Sequence, residues 1–359
     1  MPSPIRTAVV GYGLGGRTFH APFLAADDAF TVDAVVTSDA GRAEEARADH
    51  PGVRVVPDLA TLLQDAGSLD LVVVSTPPER HADQAAAVLE AGLHVVVDKP
   101  MTVTAAEGRA LVDLAERVGR TVTPFQNRRW DGDFLTLRRL VEEGALGTVR
   151  RFESRFETWR ASESKAWKAA GPATGAGVLY DLGSHVIDQA LQLLGPATVL
   201  HAELLHQREG EGADDDVFVA LQHDGGAVSH LWMSRVAAQL GPRFRVLGSE
   251  AGFTSCGLDP QEEQLRQGRA PGDPGFGHRQ GDDVGVLGLT GEEVSVPMEA
   301  GDYAAFYRGV AASVRDGAPP VVDPLDSVAV VELIETLHRD FPVRRPQAAQ
   351  AMRGRERSR

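Results

Sequence analysis

Near the start of the chain an apolar run, Ile5 to Val10, breaks directly into Gly11-Tyr12-Gly13-Leu14-Gly15-Gly16, and few folds accommodate that junction. The pattern fits G-x-G-x-x-G placed between a strand and the start of a helix. Its glycines permit a tight turn, close approach of backbone to a pyrophosphate and close helix packing, while the helix N-terminus offers amide donors to phosphate oxygens. Gly11, Gly13, Leu14 and Gly16 are therefore the expected phosphate-binding residues of a strand-turn-helix unit.

The rest of the first half continues that rhythm. Val32 to Val36, Val53 to Val56, Leu69 to Val74, His94 to Val97 and Thr121 to Thr123 are short β-branched runs of the kind buried on both faces of a sheet. Between them lie helical stretches with recognisable ends. Pro77 and Pro78 suit a first helical turn, Gly92 suits a C-terminal stop, and Thr104 with Glu107 has the spacing of a capping box. Strand and helix in alternation imply an α/β, doubly wound parallel sheet over residues 1–124.

After Pro124 the pattern changes. A helix near Phe134 to Glu143 precedes longer strand-like segments, Val149 to Trp159, Val199 to His206, Val217 to His223 and Ala227 to Met233, the last two joined by an Asp224-Gly225-Gly226 turn. Residues 125–345 thus read as an α+β domain with an open, mainly antiparallel sheet and helices on one face. Gly268 to Gly288, rich in Gly, Pro and Asp, reads as a mobile excursion. Helices near Tyr303 to Val314 and Leu325 to Leu337 close the fold, and the Arg-rich end from Arg344 reads as frayed, with 346–359 a tail.

Composition excludes several functions. Lys and Arg total 36 against 51 Asp and Glu, a formal charge of −15, which argues against binding nucleic acid or an anionic membrane. The single cysteine, Cys256, excludes an internal disulfide and a multi-thiolate metal centre. The eleven histidines form no H-E-x-x-H or similar ligand set, so no metal is expected. Asp214-Asp215-Asp216 reads as a solvated loop, and Ser184 lacks the glycine elbow of a hydrolase. With no apolar run of about 18 residues, a cytoplasmic protein is expected.

Three further segments carry chemistry. Thr37 stands at the end of the second strand, where an acid usually holds the adenosine ribose. Thr37, Ser38 and Arg42 would accept a 2′-phosphate and so favour NADP(H), unless Asp39 takes the ribose role and NAD(H) is used. Val95-Val96-Val97-Asp98-Lys99-Pro100 is a buried strand delivering Lys99 to its carboxyl end, where ligands of such sheets bind. Gly175 to Asp188, read as helical through Leu194, puts Asp181 and His185 four apart on one face. There they can share a substrate hydroxyl, or simply bond to each other.

Taken together, the glycine fingerprint, Ser75-Thr76-Pro77-Pro78 with His81, Asp98-Lys99-Pro100, Asn127-Arg128-Arg129-Trp130-Asp131 and the Asp181 to His185 segment resemble, in matching order, the glucose-fructose oxidoreductase and inositol 2-dehydrogenase family. The resemblance spans nearly the whole chain, and Phe125 to Leu140 looks most like its NADP-dependent scyllo-inositol dehydrogenase branch. It implies a Rossmann domain, an open-sheet substrate domain that often supplies an oligomer interface, and Lys99, Asp181 and His185 as catalytic residues. In one departure, Asp98 stands where the family usually has glutamate.

The expected reaction is hydride transfer between a secondary alcohol of a sugar or polyol and the nicotinamide. The hydroxyl proton must leave with the hydride, so a base has to reach that oxygen. His185 is the expected base, Lys99 the cation that orients the hydroxyl, and Asp181 a second anchor; in the family the Lys and His roles are sometimes exchanged. Asn127 and Arg128 are expected substrate-hydroxyl donors or, failing that, an exposed salt-bridge segment. Ser75, Thr76, Pro77 and His81 are expected to line the cofactor, and Trp167-Lys168 either closes over it or is a packed aromatic. A dinucleotide-binding sensor without chemistry, or a reductase of another carbonyl compound, remains the alternative. A homodimer or homotetramer is expected through the exposed face of the second sheet, because Phe152 and Phe156 point one way while Arg151, Glu153, Arg155 and Glu157 point the other.

Overall fold

The computed structural model describes residues 3–160, 171–209, 212–279 and 284–345. In the first half, six apolar runs pair edge to edge as β1 (Ile5–Val10), β2 (Phe30–Val36), β3 (Arg54–Val56), β4 (Leu71–Val74), β5 (His94–Val97) and β6 (Val122–Pro124). All are parallel, in the order β3-β2-β1-β4-β5-β6. Every residue of β4 is buried, as a strand covered on both faces requires. The crossovers carry α1 (Ala21–Ala26), α2 (Ala40–Asp49), α3 (Leu59–Leu63), α4 (His81–Glu90) and α5 (Ala105–Val118). The Thr104–Glu107 capping box forms at the start of α5, an interaction worth about 1 kcal/mol. Strand order reverses between β1 and β4, so their carboxyl ends open a crevice at that switch point.

In the second half, α6 (Gly132–Glu142) leads to β7 (Arg151–Glu157), α7 (Ser184–Leu194), β8 (Ala197–Leu205), β9 (Asp216–His223), β10 (Val228–Ser234), β11 (Phe244–Leu247) and β12 (Gly252–Ser255). After α8 (Gln261–Arg266) come β13 (Gly285–Gly288), β14 (Val294–Val296), α9 (Tyr303–Asp316) and α10 (Pro324–Asp340). The sheet order is β14-β13-β12-β11-β7-β10-β9-β8, antiparallel except where β7 runs parallel to β10. Alternation decides its faces. Phe152, Phe156, Leu231, Met233, Phe244 and Val246 point into one core with Ile187 and Ala190 of α7. The Asp224-Gly225-Gly226 turn joins β9 to β10, with Gly226 at φ +90°, a conformation that favours glycine.

The last two helices return to the first sheet. Tyr303, Phe306, Tyr307 and Val310 of α9 share a core with Phe23, Phe30 and Val35. Val328 and Val331 of α10 join the core on the opposite face, while Val330 and Ile334 face the core under the second sheet. One helix therefore helps to wall two cores.

Four sequence expectations are corrected. Gly268 to Gly288 is no mere excursion, because its last four residues form β13 and Phe276 packs edge-on against Phe23. Arg344 is not frayed, since its backbone bonds to Leu204 and His206 beside β8. Asp214 and Asp215 are buried rather than solvated: Asp214 accepts the Leu179 amide and Asp215 those of Gln207 and Arg208. Gly175 to Leu194 is not one regular helix, for Leu179–Gly183 forms a π-helical turn before α7 begins. Wide turns of this kind recur at functional sites.

Candidate active site

The glycine turn is built as its spacing demands. Gly11 has φ +92°, and a Cβ there would lie 2.3 Å from the Ser75 carbonyl oxygen; at Gly16 it would lie 2.0 Å from the Gly11 oxygen. Gly13 is different, because among the described residues beyond its chain neighbours only Arg42 Nη1, at 3.9 Å, comes near its missing Cβ. Open space over Gly13 and Leu14, beside the first amides of the π-helical turn Gly15–His20, fits a pyrophosphate. The Asp39 carboxylate caps α2 through the Arg42 amide at 2.9 Å, and Thr37 Oγ1 accepts the Asp39 amide at 3.3 Å. Asp39 is thereby held at the helix start while the Arg42 guanidinium folds over the glycine turn; Ser38 is exposed beside them.

At the end of β4, Ser75 Oγ donates to Asp98 Oδ2 at 3.0 Å and Thr76 Oγ1 to Gln84 Oε1 at 2.6 Å. Pro77 precedes the short 3₁₀ turn that enters α4. Both ring nitrogens of His81 face carbonyl oxygens, of Thr76 and Pro100, each at 2.8 Å, so the imidazole ties the β4 loop to the β5 loop. Burial alone pushes the Asp98 carboxyl up, but the nearby His20, Lys99 and His81 hold it down to about 2. Asp98 thus stays anionic at the crevice, where the shorter side chain still accepts the Lys99 amide at 2.8 Å.

Lys99, followed by a cis peptide to Pro100, reaches across to the π-helical turn. Its Nζ donates to the Asp181 backbone oxygen at 2.6 Å and to Asp181 Oδ1 at 2.9 Å. On the other side Arg235 Nη2 donates to Asp181 Oδ2 at 2.5 Å. His185, in the first turn of α7, is buried and lies nearly parallel to Phe156 with ring centroids 6.3 Å apart. Its Nδ1 is buried with no hydrogen-bond partner among the described residues. Burial, together with Lys99, Arg128 and Arg243, pushes its pKa well below the ordinary histidine value against the opposing pull of Asp181. The imidazole is therefore neutral and able to accept a proton.

Asn127 is buried just after β6, and Arg128 is buried rather than exposed. The Arg128 guanidinium uses its Nη donors on Asp131, Tyr303 and Glu262 and sits 4.6 Å over Phe156, while its Nε is buried with no hydrogen-bond partner among the described residues. Burial, with the Asp259 and Asp133 carboxylates nearby, raises the Asp131 carboxyl to about 7 despite Arg128. Asp188 turns away from the site to pair with Arg129 at 2.6 Å. Trp167 and Lys168 lie outside the described residues.

The structure thus joins Lys99 to Asp181 beside His185 and places Arg42 over the glycine turn. Sequence reasoning missed Arg235 and Asp214. The available signal was a lone charge, Arg235, directly after the apolar alternation of β10. Asp214 left no comparable mark, because its carboxylate is spent on an amide 35 residues away.

Residues 5–126 match the model of the oxidoreductase family with an NAD-binding Rossmann fold, and residues 134–254 match the GFO/IDH/MocA C-terminal domain. The chain is 35% identical over 335 residues, 92% of each chain, to scyllo-inositol 2-dehydrogenase (NADP(+)) IolW of Bacillus subtilis. It is 37% identical over 337 residues to the uncharacterized oxidoreductase YdgJ of Escherichia coli, covering 93% of this chain and 96% of that one. Among solved structures, putative oxidoreductase yvaA of Bacillus subtilis superposes with a TM-score of 0.88 at 33% identity, covering 94% of this chain and 97% of the other.

Proposed function

Since the chain belongs to the GFO/IDH/MocA family of NAD(P)-binding oxidoreductases, we propose that it interconverts a secondary alcohol and the corresponding ketone on a cyclic polyol or sugar, with NADP(H) as the preferred cofactor. The observation that carries this reading is Lys99 anchored on Asp181 beside a neutral His185, at the carboxyl end of β5 and next to a glycine turn open over Gly13. The inositol named for the Bacillus subtilis relative supports a cyclic polyol.

The glycine turn at Gly11, Gly13 and Gly16, with Arg42 over it, would hold the dinucleotide, whose nicotinamide would supply the hydride chemistry of alcohol oxidation and ketone reduction. His185 takes the hydroxyl proton as the C–H electron pair leaves, and gives it back in reduction. Lys99 has three N–H donors, two of them spent on Asp181, so the third is aimed at the substrate oxygen and stabilises its developing negative charge. Asp181 holds that ammonium in place, and the buried Asn127 is assigned a second hydroxyl.

NADP(H) preference rests on Arg42 lying over Gly13 and on Asp39 being committed to the cap of α2, with Thr37 and Ser38 supplying hydroxyls. No helix among the described residues is long and apolar enough to cross a membrane, and the reading places the protein in the cytoplasm. Assembly into a homodimer or homotetramer uses the outer face of the second sheet. There Phe218, His230 and Trp232 cluster, Arg155 stacks 3.9 Å over Trp232, and Arg245 pairs with Glu153.

The test follows absorbance of the reduced cofactor over inositols, aldoses and keto-sugars, in both directions and with both dinucleotides. The reading expects turnover of at least one cyclic polyol or its ketone, with higher kcat/KM for NADP(H). Dinucleotide binding with no turnover of any of them would overturn it.

A further inference from the structure

Arg235 stands one residue beyond β10 on the second sheet, buried, and meets the same carboxylate that holds Lys99. Its backbone is pinned on both sides. The Arg235 amide donates to the Asp215 oxygen at 2.9 Å, and the Arg235 oxygen accepts the Arg160 amide at 2.8 Å and Arg208 Nη2 at 3.3 Å. The guanidinium therefore projects from a fixed base.

We propose that Arg235 is a positioning residue: it clamps Asp181 from the side opposite Lys99 and so sets the direction of the one Lys99 N–H left for the substrate. This inference rests on the proposed reading of the site. Asp181 lies on an irregular π-helical turn, where its rotamer is not set by regular helix packing. With Oδ1 held by Lys99 at 2.9 Å and Oδ2 by Arg235 at 2.5 Å, rotation of the carboxylate breaks one charge-assisted bond or the other. Lys99 in turn has two of its three donors fixed by Asp181.

Charge points the same way. Arg235 brings a second cation to the carboxylate that holds Lys99, near where negative charge develops on the substrate oxygen. A cation preset at such a point acts on the transition state more than on the ground state. Lysine is a poor replacement, because its single ammonium lacks the planar fork and the reach of a guanidinium.

The experiment compares wild type with Arg235→Met and Arg235→Lys on the polyol that wild type turns over. The expected result is a kcat lower by about 10- to 100-fold in Arg235→Met, with KM for polyol and Kd for NADPH within about threefold of wild type and partial recovery in Arg235→Lys. A tenfold rise in KM with kcat preserved would make Arg235 a substrate-binding residue and overturn the proposal, as would unchanged kinetics. A second measurement needs no substrate. Melting temperatures of Arg235→Met, Asp181→Asn and the double variant are expected to be non-additive, because either single change already removes the one charge-assisted bond the two side chains share. Additive shifts would overturn the clamp. If wild type turns over no polyol or ketone, the functional reading fails while the melting cycle still decides the contact.

Discussion

Lys99 Nζ lies 2.6 Å from the backbone oxygen of Asp181 and 2.9 Å from its carboxylate, although the two residues are 82 positions apart, one just beyond β5 of the first sheet and the other on the π-helical turn of the second half. The contact brings the end of β5 to the turn before α7 and makes the two halves of the chain contribute to one site.

Replacing Lys99 with Met, or His185 with Ala, is expected to preserve fold and dinucleotide binding while lowering turnover by about 100-fold or more. Circular dichroism, NADPH fluorescence titration and steady-state kinetics check this. Near-normal turnover by both folded variants would remove the catalytic assignment.

The neutral state of His185 sets the acid side of the pH profile. In alcohol oxidation the base must be unprotonated, so kcat/KM should hold through pH 6.5 and fall only as pH drops through the folded-state value well below it. Stability follows the same group. Between that folded value and 6.5 the unfolded chain binds a proton that the native imidazole refuses, so the contribution of His185 is present above 6.5 and lost as pH falls across this window. A rate profile breaking at or above 6.5 would contradict the neutral imidazole.

Arg42→Ala should lower kcat/KM for NADP(H) by about 10- to 100-fold, the worth of one or two charge-assisted bonds, and leave NAD(H) use nearly unchanged. Kinetics with both cofactors decide it. A wild-type preference for NAD(H) would show that Arg42 does not meet a 2′-phosphate.

Gly16→Ala places a methyl 2.0 Å from the Gly11 oxygen and 3.1 Å from Val9, so the turn or the helix must shift. A loss of about 1–3 kcal/mol is expected, read as a lower melting temperature. Gly67→Ala, where the new methyl meets nothing within 4 Å among the described residues beyond its chain neighbours, serves as the neutral control.

What could be read from the sequence was local. The glycine turn, the Thr104–Glu107 box and the β-branched runs each announce themselves within a few residues, because their physics is backbone conformation and periodic burial. Lys99 and His185 were legible through their place relative to those elements. Arg128 was misjudged in part: it was expected to be a substrate donor or an exposed ion pair, yet it is buried among Asp131, Tyr303 and Glu262, partners up to 175 residues away. The roles of Arg235 and Asp214 likewise depend on which segments meet in space. The departure from regular helix at Leu179–Gly183 had no signature either, for hydrophobic spacing does not distinguish a widened turn from an ordinary one.

The return of α9 and α10 to the first sheet also orders events at the ribosome. Residues 5–126 are synthesised long before Tyr303, Tyr307, Val328 and Val331, which seal the two faces of that sheet. The nascent chain must carry the apolar surface around Phe23 and Phe30 uncovered while the entire second sheet is translated. The native core of the first half therefore closes only after the whole second sheet has been translated, a long-range dependence that sequence order alone imposes.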